Sequence, residues 1–493
     1  MRKGMFTQKT VAALCIVCVA CTGAGAGLYY LLDEDNNNTA FEMGELQIFG
    51  NANGDSRIDN DDYVLLQKIV NGEVTEENRE EEIGSRAYAD ANCDGSIDQR
   101  DVEQVRKIIS GTAEFIWIVD GAGAVKKIKY NPDRIGCEYY SNTELMLILG
   151  LKDKIKAVDA APYFFKDFYF GETHLRTNSM HNMGNMSDPD METLVNTLPN
   201  HIDILFTFTA GSAASKALLE GAGVGVVFLG MYTPNLAVDE PLNSVYYQAV
   251  LKAGYIFGPD AVSRAEAYLT WTWNQKERIE NVTSGISEEE RPRVFVASYN
   301  QPFIENGSVG GNITAYMPAD PIGQACVIAG GFFPSVNMAG TVNINGQPKV
   351  VSLETVFSSG NFDFLFIHTV WVTYGGVDNN NGNDSLMGKH GFGWTDTASM
   401  EAYYDAVRSR MTGNGDEYRM DLNLNKCDTY IIAGDFRNGA SGCILLAAYM
   451  AKIFHPDKFE DLDPWALQKE FVNNWLGITD YAGNGVLIYP GLG

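Results

Sequence analysis

Two short stretches place oxygen-bearing side chains at a spacing that neither a helix nor a strand uses. Residues 90–101 read DANCDGSIDQRD, and residues 51–62 read NANGDSRIDNDD. Aligned, both carry Asp or Asn at positions 1, 3, 5, 9 and 12. These are Asn51, Asn53, Asp55, Asp59 and Asp62 in the first, and Asp90, Asn92, Asp94, Asp98 and Asp101 in the second. A helix face repeats every three to four residues and a strand face every two. Oxygens at these intervals instead converge on one hard cation, which takes six to eight of them. The seventh position, Arg57 or Ser96, supplies a backbone carbonyl. Ile58 and Ile97 at the eighth are expected to turn inward and tie the two loops together.

That ligand order is the order of an EF-hand-type calcium loop. Position 12 is Asp rather than Glu, which shortens bidentate reach. Position 6 is Gly95 in the second loop but Ser56 in the first, where the sharp turn prefers glycine. Asn51 is uncharged as well, so the first site is expected to be the weaker. Each loop runs into an amphipathic helix, YVLLQKIVNG or VEQVRKIISG, that stops at glycine. A loop plus one following helix, used twice, resembles a dockerin module over residues 46–112. The resemblance implies two bound Ca2+ ions and docking onto a cohesin-bearing protein. Dockerin contacts often use Ser or Thr at loop positions 10 and 11. Here those positions hold Asn60, Asp61, Gln99 and Arg100, a departure that weakens the cohesin implication more than the calcium one.

The elements that must carry these loops sit in a chain of 493 residues with a formal net charge of -27. Two to four domains fit that length, and the acidic balance argues against a nucleic-acid partner, which needs a basic face. An apolar run, VAALCIVCVACTGAGAGLYYLL, follows Arg2, Lys3 and Lys9 and precedes Asp33 and Asp35. It is long enough to span a bilayer, and the charge asymmetry puts everything after residue 33 outside. A cleaved signal peptide and a lipoprotein signal at Cys21 are the competing readings; all three export the body of the protein. Outside that run Cys93, Cys137, Cys326, Cys427 and Cys443 are scattered without metal or disulfide-scaffold spacing, leaving at most an isolated bridge and an odd thiol. Sequons at Asn37, Asn281, Asn306, Asn312 and Asn383 permit glycosylation and also arise by chance in Asn-rich loops.

From about residue 115 the texture becomes α/β. FIWIVDGAGAVKKIKY reads as a hairpin around a Gly-rich turn. TELMLILGLKDKIKAVD, METLVNTLPNHIDILFTF and SKALLEGAGVGVVFLG read as helix-then-strand units, which predict parallel sheet. After an N-terminal Pro259-Asp260 the chain lacks Gly and Pro to about residue 283, which predicts one long helix over about 259–283. RPRVFVASYN then begins a second α/β series. Two α/β lobes joined by one helix resemble the substrate-binding proteins of iron-complex and cobalamin ABC importers. Ordered markers carry the resemblance: VDGAGAVKKI, NPDRIGC, DPDMETLVNTLPNHIDIL, RPRVFVAS, VSLETVFSSGNFDFLFI and AKIFHPDKF.

The expected organisation is an anchor or signal segment at 1–33, the calcium module at 46–112, lobe one at 115–258, a linker helix at 259–284 and lobe two at 291–493. The fold class is α/β: two Rossmann-like lobes and one long helix, preceded by a small all-α module and an N-terminal membrane helix. The resemblance implies a ligand in the cleft between lobes, contacted by loops after the strand C-termini. Those loops place Tyr140, Tyr163, Phe164 and Met183 in lobe one, and Tyr299, Trp371, Tyr374 and Arg437 in lobe two. Aromatic walls suit a flat, large metal chelate such as a corrinoid, haem or ferric siderophore, and Arg437 would face an acidic group on it. Core packing is the competing reading for each aromatic. The resemblance further implies that Glu192 and Glu354, one per lobe, dock onto a membrane permease driven by a partner ATPase. His174 and His181 flank a Met-rich run that would suit a soft metal. No HExxH or GxSxG occurs, and GNDSLMGKH fails the phosphate-loop spacing between Gly382 and Gly388, so no enzyme is expected. The rival reading is a surface scaffold or adhesion protein acting through the calcium module alone. A weaker third is a chelatase-like or hydrolytic enzyme on the same fold.

Overall fold

The computed structural model describes residues 45–74, 88–185, 188–189, 194–195, 201–209, 214–231, 236, 244–298, 312–316, 318–332, 349–352, 362–369, 398, 400–402, 404–405, 427–440, 442–479, 481, 483 and 485–491. The first repeat leads into α1 (Asn60–Val70) and the second into α2 (Gln99–Ile109). Asp59 and Asp98, ninth in their loops, cap these helices, each in a reciprocal box with the Asp at position 12. Gly72 and Gly111 then stop the helices at φ of 73° and 72°, a left-handed geometry that costs glycine little. Leu66 of α1 and Val102, Val105 and Ile108 of α2 are buried with Leu46, Ile48, Ala52 and Ile58.

Strands β1 (Phe115–Val119) and β2 (Val125–Lys129) pair antiparallel with Phe115 opposite Lys129, the expected hairpin. Lobe one follows: β3 (Ile135–Cys137), α3 (Tyr139–Ile148), β4 (Ile155–Val158), α4 (Ala160–Phe164), α5 (Lys166–Thr177), β5 (His181–Asn182), the short pair β6 (Gly184–Asn185) and β7 (Asp188–Pro189), β8 (Ile204–Thr207), α6 (Ala214–Gly221), β9 (Gly225–Phe228) and α7 (Val245–Phe257). Its sheet runs β5-β4-β3-β8-β9, all parallel. Strand β8 is buried along its whole length, as a parallel strand covered on both faces must be.

After Gly258, whose φ is 97°, Pro259 starts α8 (Pro259–Thr283) at the position where a missing N–H costs nothing. Its 25 residues make a rod of about 37 Å. Ala261, Ala265, Tyr268, Leu269, Thr272, Ile279 and Thr283 form its buried stripe. Lobe two comprises β10 (Val294–Ser298), β11 (Asn312–Ala315), α9 (Pro321–Ile328), β12 (Lys349–Ser352), β13 (Phe364–Thr369), β14 (Asp428–Ala433), α10 (Asp435–Asn438), α11 (Gly442–Phe454), α12 (Pro464–Glu470) and β15 (Ile488–Tyr489). The sheet order is β12-β11-β10-β13-β14-β15, with β10, β13 and β14 parallel and the other three antiparallel to their neighbours. Thus the sequence's α/β expectation holds, with mixed rather than purely parallel strands at both edges of the second sheet.

None of the five described cysteines forms a disulfide; Cys137, Cys326, Cys427 and Cys443 are buried in separate elements. Among the described residues no helix is long and apolar enough to cross a membrane. The apolar run before residue 33 lies outside them.

Candidate functional site: calcium loops and interlobe cleft

Both loops fold around hydrogen bonds that start at their own ligand positions. Asp62 Oδ1 accepts the N–H groups of Ala52 and Asn53 at 2.7 and 3.0 Å, and its Oδ2 accepts that of Asp59. Asp101 repeats this with Asn92 and Asp98. Asp90 takes the N–H groups of Asp94 and Gly95, and Asp55 and Asp94 accept from the seventh residues, Arg57 and Ser96. Burial pushes the Asp62 carboxyl up to about 6, and raises that of Asp101.

Two buried oxygens test whether these residues fit calcium. Asn51 Oδ1 and Asn92 Oδ1 have no hydrogen-bond partner among the described residues, and buried amide oxygens ordinarily do. The Asn51 Nδ2 is fixed on the carbonyls of Leu46 and Asp55 at 3.0 and 2.7 Å, which leaves that oxygen over. Both are ligand positions, so the donor set suits a hard cation. Among the described residues no three His, Cys, Asp or Glu side chains are already gathered as a metal cluster. The backbones of the loops differ as expected from position 6. Gly95 is left-handed at φ 91°, whereas Ser56 is not among the positive-φ residues; at position 4 both loops are left-handed, Gly54 at 75° and Cys93 at 56°.

Ile58 is buried in the apolar cluster against which Ile97 packs, and its N–H is donated to the Tyr255 hydroxyl of α7 at 2.7 Å. No bridge joins it to Ile97 among the described residues.

The second candidate site lies where the strand C-termini of the lobes meet. After β3 come Glu138, Tyr139 and Tyr140; after β4, Asp159; after β8, Phe208. Tyr139 holds φ of 70°, a conformation a bulky side chain rarely adopts and one that concentrates at binding sites. Its N–H is fixed by Asp159 Oδ2 at 2.8 Å, and its ring lies 4.2 Å from that of Phe208. Glu138, wholly buried, accepts the Phe208 N–H at 2.7 Å and pairs with Lys216 at 3.3 Å. Asp159 also caps α4, and burial pushes its carboxyl up to about 7.

Across the seam, α10 of lobe two approaches α3. Glu144 is buried; one oxygen accepts the Ala440 N–H at 2.7 Å and the other the Tyr169 hydroxyl at 2.8 Å. Burial pushes this carboxyl up to about 8, with the Asp435 charge adding to the effect. Tyr246, bonded to Tyr268 at 2.5 Å, donates to the Ala440 carbonyl. Both polar groups of one lobe-two residue are therefore satisfied from lobe one and the helices behind it.

Of the sequence-predicted cleft residues, the structure brings Tyr140, Tyr163, Phe164 and Arg437 to this end of the sheets. Tyr163 and Phe164 are half-buried at the end of α4, Tyr163 beneath the Lys166 ammonium. Tyr140 is buried inside α3 rather than on a loop, and its hydroxyl has no hydrogen-bond partner among the described residues. Met183 packs instead in a small core of lobe one with Ala157 and Leu205. Arg437, expected to face an acidic ligand, is buried and held by Asp320 at 2.7 Å, 4.8 Å from the Tyr316 ring. Tyr316 in turn bonds His368 Nδ1 at 2.8 Å. Burial holds the His368 imidazole well below its ordinary range, hence neutral. His174 lies on α5 with its side chain largely buried, stacked on Phe170 and 3.3 Å from the exposed Asp153. Tyr299, Trp371, Tyr374, Glu192 and Glu354 lie outside the described residues.

Sequence reasoning missed Glu144, Asp159, Asp320, Tyr316, His368 and Phe208. One signal was available: Asn142 and Glu144 sit in an otherwise apolar helix, where an unpaired carboxyl would be costly.

Residues 50–110 match the model of the dockerin type I domain. No curated protein is similar to the chain in sequence. Among solved structures, the TroA-like periplasmic binding protein FepB of Veillonella parvula is similar at a TM-score of 0.50 and 16% identity, over 73% of this chain and 95% of that one. The molybdate periplasmic binding protein MolA of Haemophilus influenzae gives 0.49 and 13% over 73% and 98%. The haem-binding protein RhuT of a Roseiflexus species gives 0.40 and 14% over 67% and 98%. The first of these establishes the α/β body as a TroA-like periplasmic-binding-protein fold; it and the others are binding proteins rather than enzymes.

Proposed function

We propose that this chain is the extracytoplasmic solute-binding component of an ABC importer. It captures a metal chelate, either a ferric siderophore, haem or a corrinoid, and delivers it to a membrane permease whose partner ATPase supplies the energy. The observation that carries this reading is the seam: two α/β lobes turn the C-termini of their parallel strands toward each other and are joined by one long helix. That end of an α/β sheet is where ligands bind. The strained Tyr139 beside Phe208, with Tyr163 and Phe164, gives it an aromatic wall suited to a flat cargo. Tyr299, Trp371 and Tyr374 complete the wall from lobe two. Glu192 and Glu354 present one charge per lobe to the permease, where such charges fix register.

The N-terminal apolar run anchors the protein to the cytoplasmic membrane and leaves both the calcium module and the receptor outside. Two Ca2+ ions occupy the loops, held by Asn51, Asn53, Asp55, Asp59 and Asp62 with the Arg57 carbonyl, and by Asp90, Asn92, Asp94, Asp98 and Asp101 with the Ser96 carbonyl. Bound there, calcium neutralises the packed carboxylates and cross-links each loop to the first turn of its helix.

The test is a thermal-shift screen of the exported region from residue 34, in calcium, against haem, cobalamins and ferric siderophores. A ligand that binds the folded state raises Tm by mass action. A shift with one class, lost in Tyr163→Ala and Trp371→Ala, supports the receptor reading. No shift with any class, together with calcium-dependent binding of a cohesin, would favour the alternative of a surface scaffold that works through its dockerin-like module. That second reading rests on the match over residues 50–110.

A further inference from the structure

The calcium module does not hang from the receptor on a linker. The segment entering the first loop extends the hairpin of the α/β body: Phe49 N–H bonds the Trp117 carbonyl at 3.0 Å, and Val119 N–H bonds that of Gln47 at 3.1 Å. Gln248 of α7 grips the same segment twice, through the Gln47 N–H and the Glu45 carbonyl. Lys252, buried, bonds Gln47 Oε1 at 2.8 Å. At the far side, Gln104 of α2 bonds the Phe115 carbonyl at 2.7 Å, and Tyr130 bonds that of Ile108 at 3.2 Å. The module's apolar side chains belong to the same continuous core as both lobes.

One contact reaches the first calcium site itself. The peptide between Arg57 and Ile58 is a single rigid plane in which C=O and N–H point opposite ways. Its C=O is the backbone ligand at position 7. Its N–H is donated to Tyr255 at 2.7 Å. Beside it, Arg57 Nε bonds Glu266 of the long helix at 2.7 Å. A cation on the carbonyl polarises the amide and strengthens the bond on its other side.

We infer that Tyr255 is a positioning residue for the first calcium site, and that calcium there braces the receptor body through the Arg57–Ile58 peptide. The inference rests on the calcium reading above and adds that the first site is completed by lobe one. The second loop has no such contact at Ser96–Ile97 among the described residues. This asymmetry offsets the two deficits of the first loop, Ser56 and Asn51, because the lobe holds in place the peptide that a glycine turn would otherwise present.

The full chain, stripped with EDTA and titrated with Ca2+ by calorimetry, tests this. Two sites are expected. Tyr255→Phe should weaken the first site by about five- to tenfold, the range of one hydrogen bond, and leave the second unchanged. Gln104→Ala, which cuts another bond between module and body, should leave both affinities unchanged. In parallel, calcium should raise the unfolding temperature reported by tryptophans 271, 273 and 475 of the body, and Glu266→Gln should diminish that rise. Equal weakening in Tyr255→Phe and Gln104→Ala would show only general loosening and overturn the positioning role. So would two unaltered sites in Tyr255→Phe, or a calcium-sensitive transition separate from that of the body. Absence of Ca2+ binding at both loops would overturn the calcium reading itself, and this inference with it.

Discussion

Replacing Glu144 with Gln should remove a pH dependence from the join between the lobes. The ordinary value for this carboxyl is 4.5, and burial raises it to about 8 in the folded protein. Between those values the folded state holds a proton that the unfolded chain has lost. Unfolding free energy therefore falls as pH rises through that window, by about 1.4 kcal/mol for each pH unit, and levels off above about pH 8. From pH 5 to pH 7 the carboxyl contributes a loss of up to about 3 kcal/mol, an upper figure because water reaching the seam would lessen it. Gln keeps the shape: its oxygen can accept the Ala440 N–H and its amide can donate to the Tyr169 hydroxyl. Urea unfolding at pH 5, 6, 7 and 8, followed by tryptophan fluorescence, gives the slope for each protein. Asp159 and every other titrating group remain in both, so the difference between slopes isolates Glu144. The variant should show the shallower fall and exceed the parent in stability at pH 8. Parallel slopes would refute the argument, since they would mean that the buried carboxyl is ionised at all these pH values.

Gly439→Ala places a Cβ 2.7 Å from Glu144 Oε2 and should cost about 1–3 kcal/mol by overpacking. In a Glu144→Ala background most of that cost should vanish, and a double-mutant cycle of unfolding energies measures it. Arg437→Met leaves the buried Asp320 carboxylate without its counter-ion and should cost about 3–5 kcal/mol, whereas the further change Asp320→Asn, which keeps the cap on the Ile322 N–H, should recover part of it; thermal denaturation of the three proteins decides. In the native protein Ellman's reagent should react with Cys93 and not with Cys137, Cys326, Cys427 or Cys443, whose burial keeps them inaccessible, and all of these should react in guanidinium. Asp98→Ala removes the α2 cap and should cost about 1 kcal/mol in EDTA, with a larger loss in calcium as the ligand is removed too; paired melts with and without the ion separate the terms.

Local patterns in this chain are strong where one residue type has one physical use. The Asp and Asn spacing at 51–62 and 90–101 determined the loops and the caps of α1 and α2, since a carboxylate two or three residues before an orphan N–H closes on it whatever else is nearby. Glycines stopped both helices for the same reason. The absence of Gly and Pro after Pro259 determined the length of α8. The α/β texture, with apolar runs of four to six residues after each helix, determined the sheets.

Partners distant in the chain were decided only by tertiary structure. Nothing beside Ile58 shows that its N–H meets Tyr255, 197 positions away. Neither does the run TELMLILG show that Glu144 meets Ala440, nor NGAS that Arg437 is already held by Asp320 rather than open to a ligand. A buried polar atom must find a partner, and the sequence states that requirement without saying who meets it. The chain alone therefore determined a pair of dockerin-like loops and a two-lobed body. Packing decided that they are one continuous core, because the apolar face left over by two short helices had no other surface to cover it.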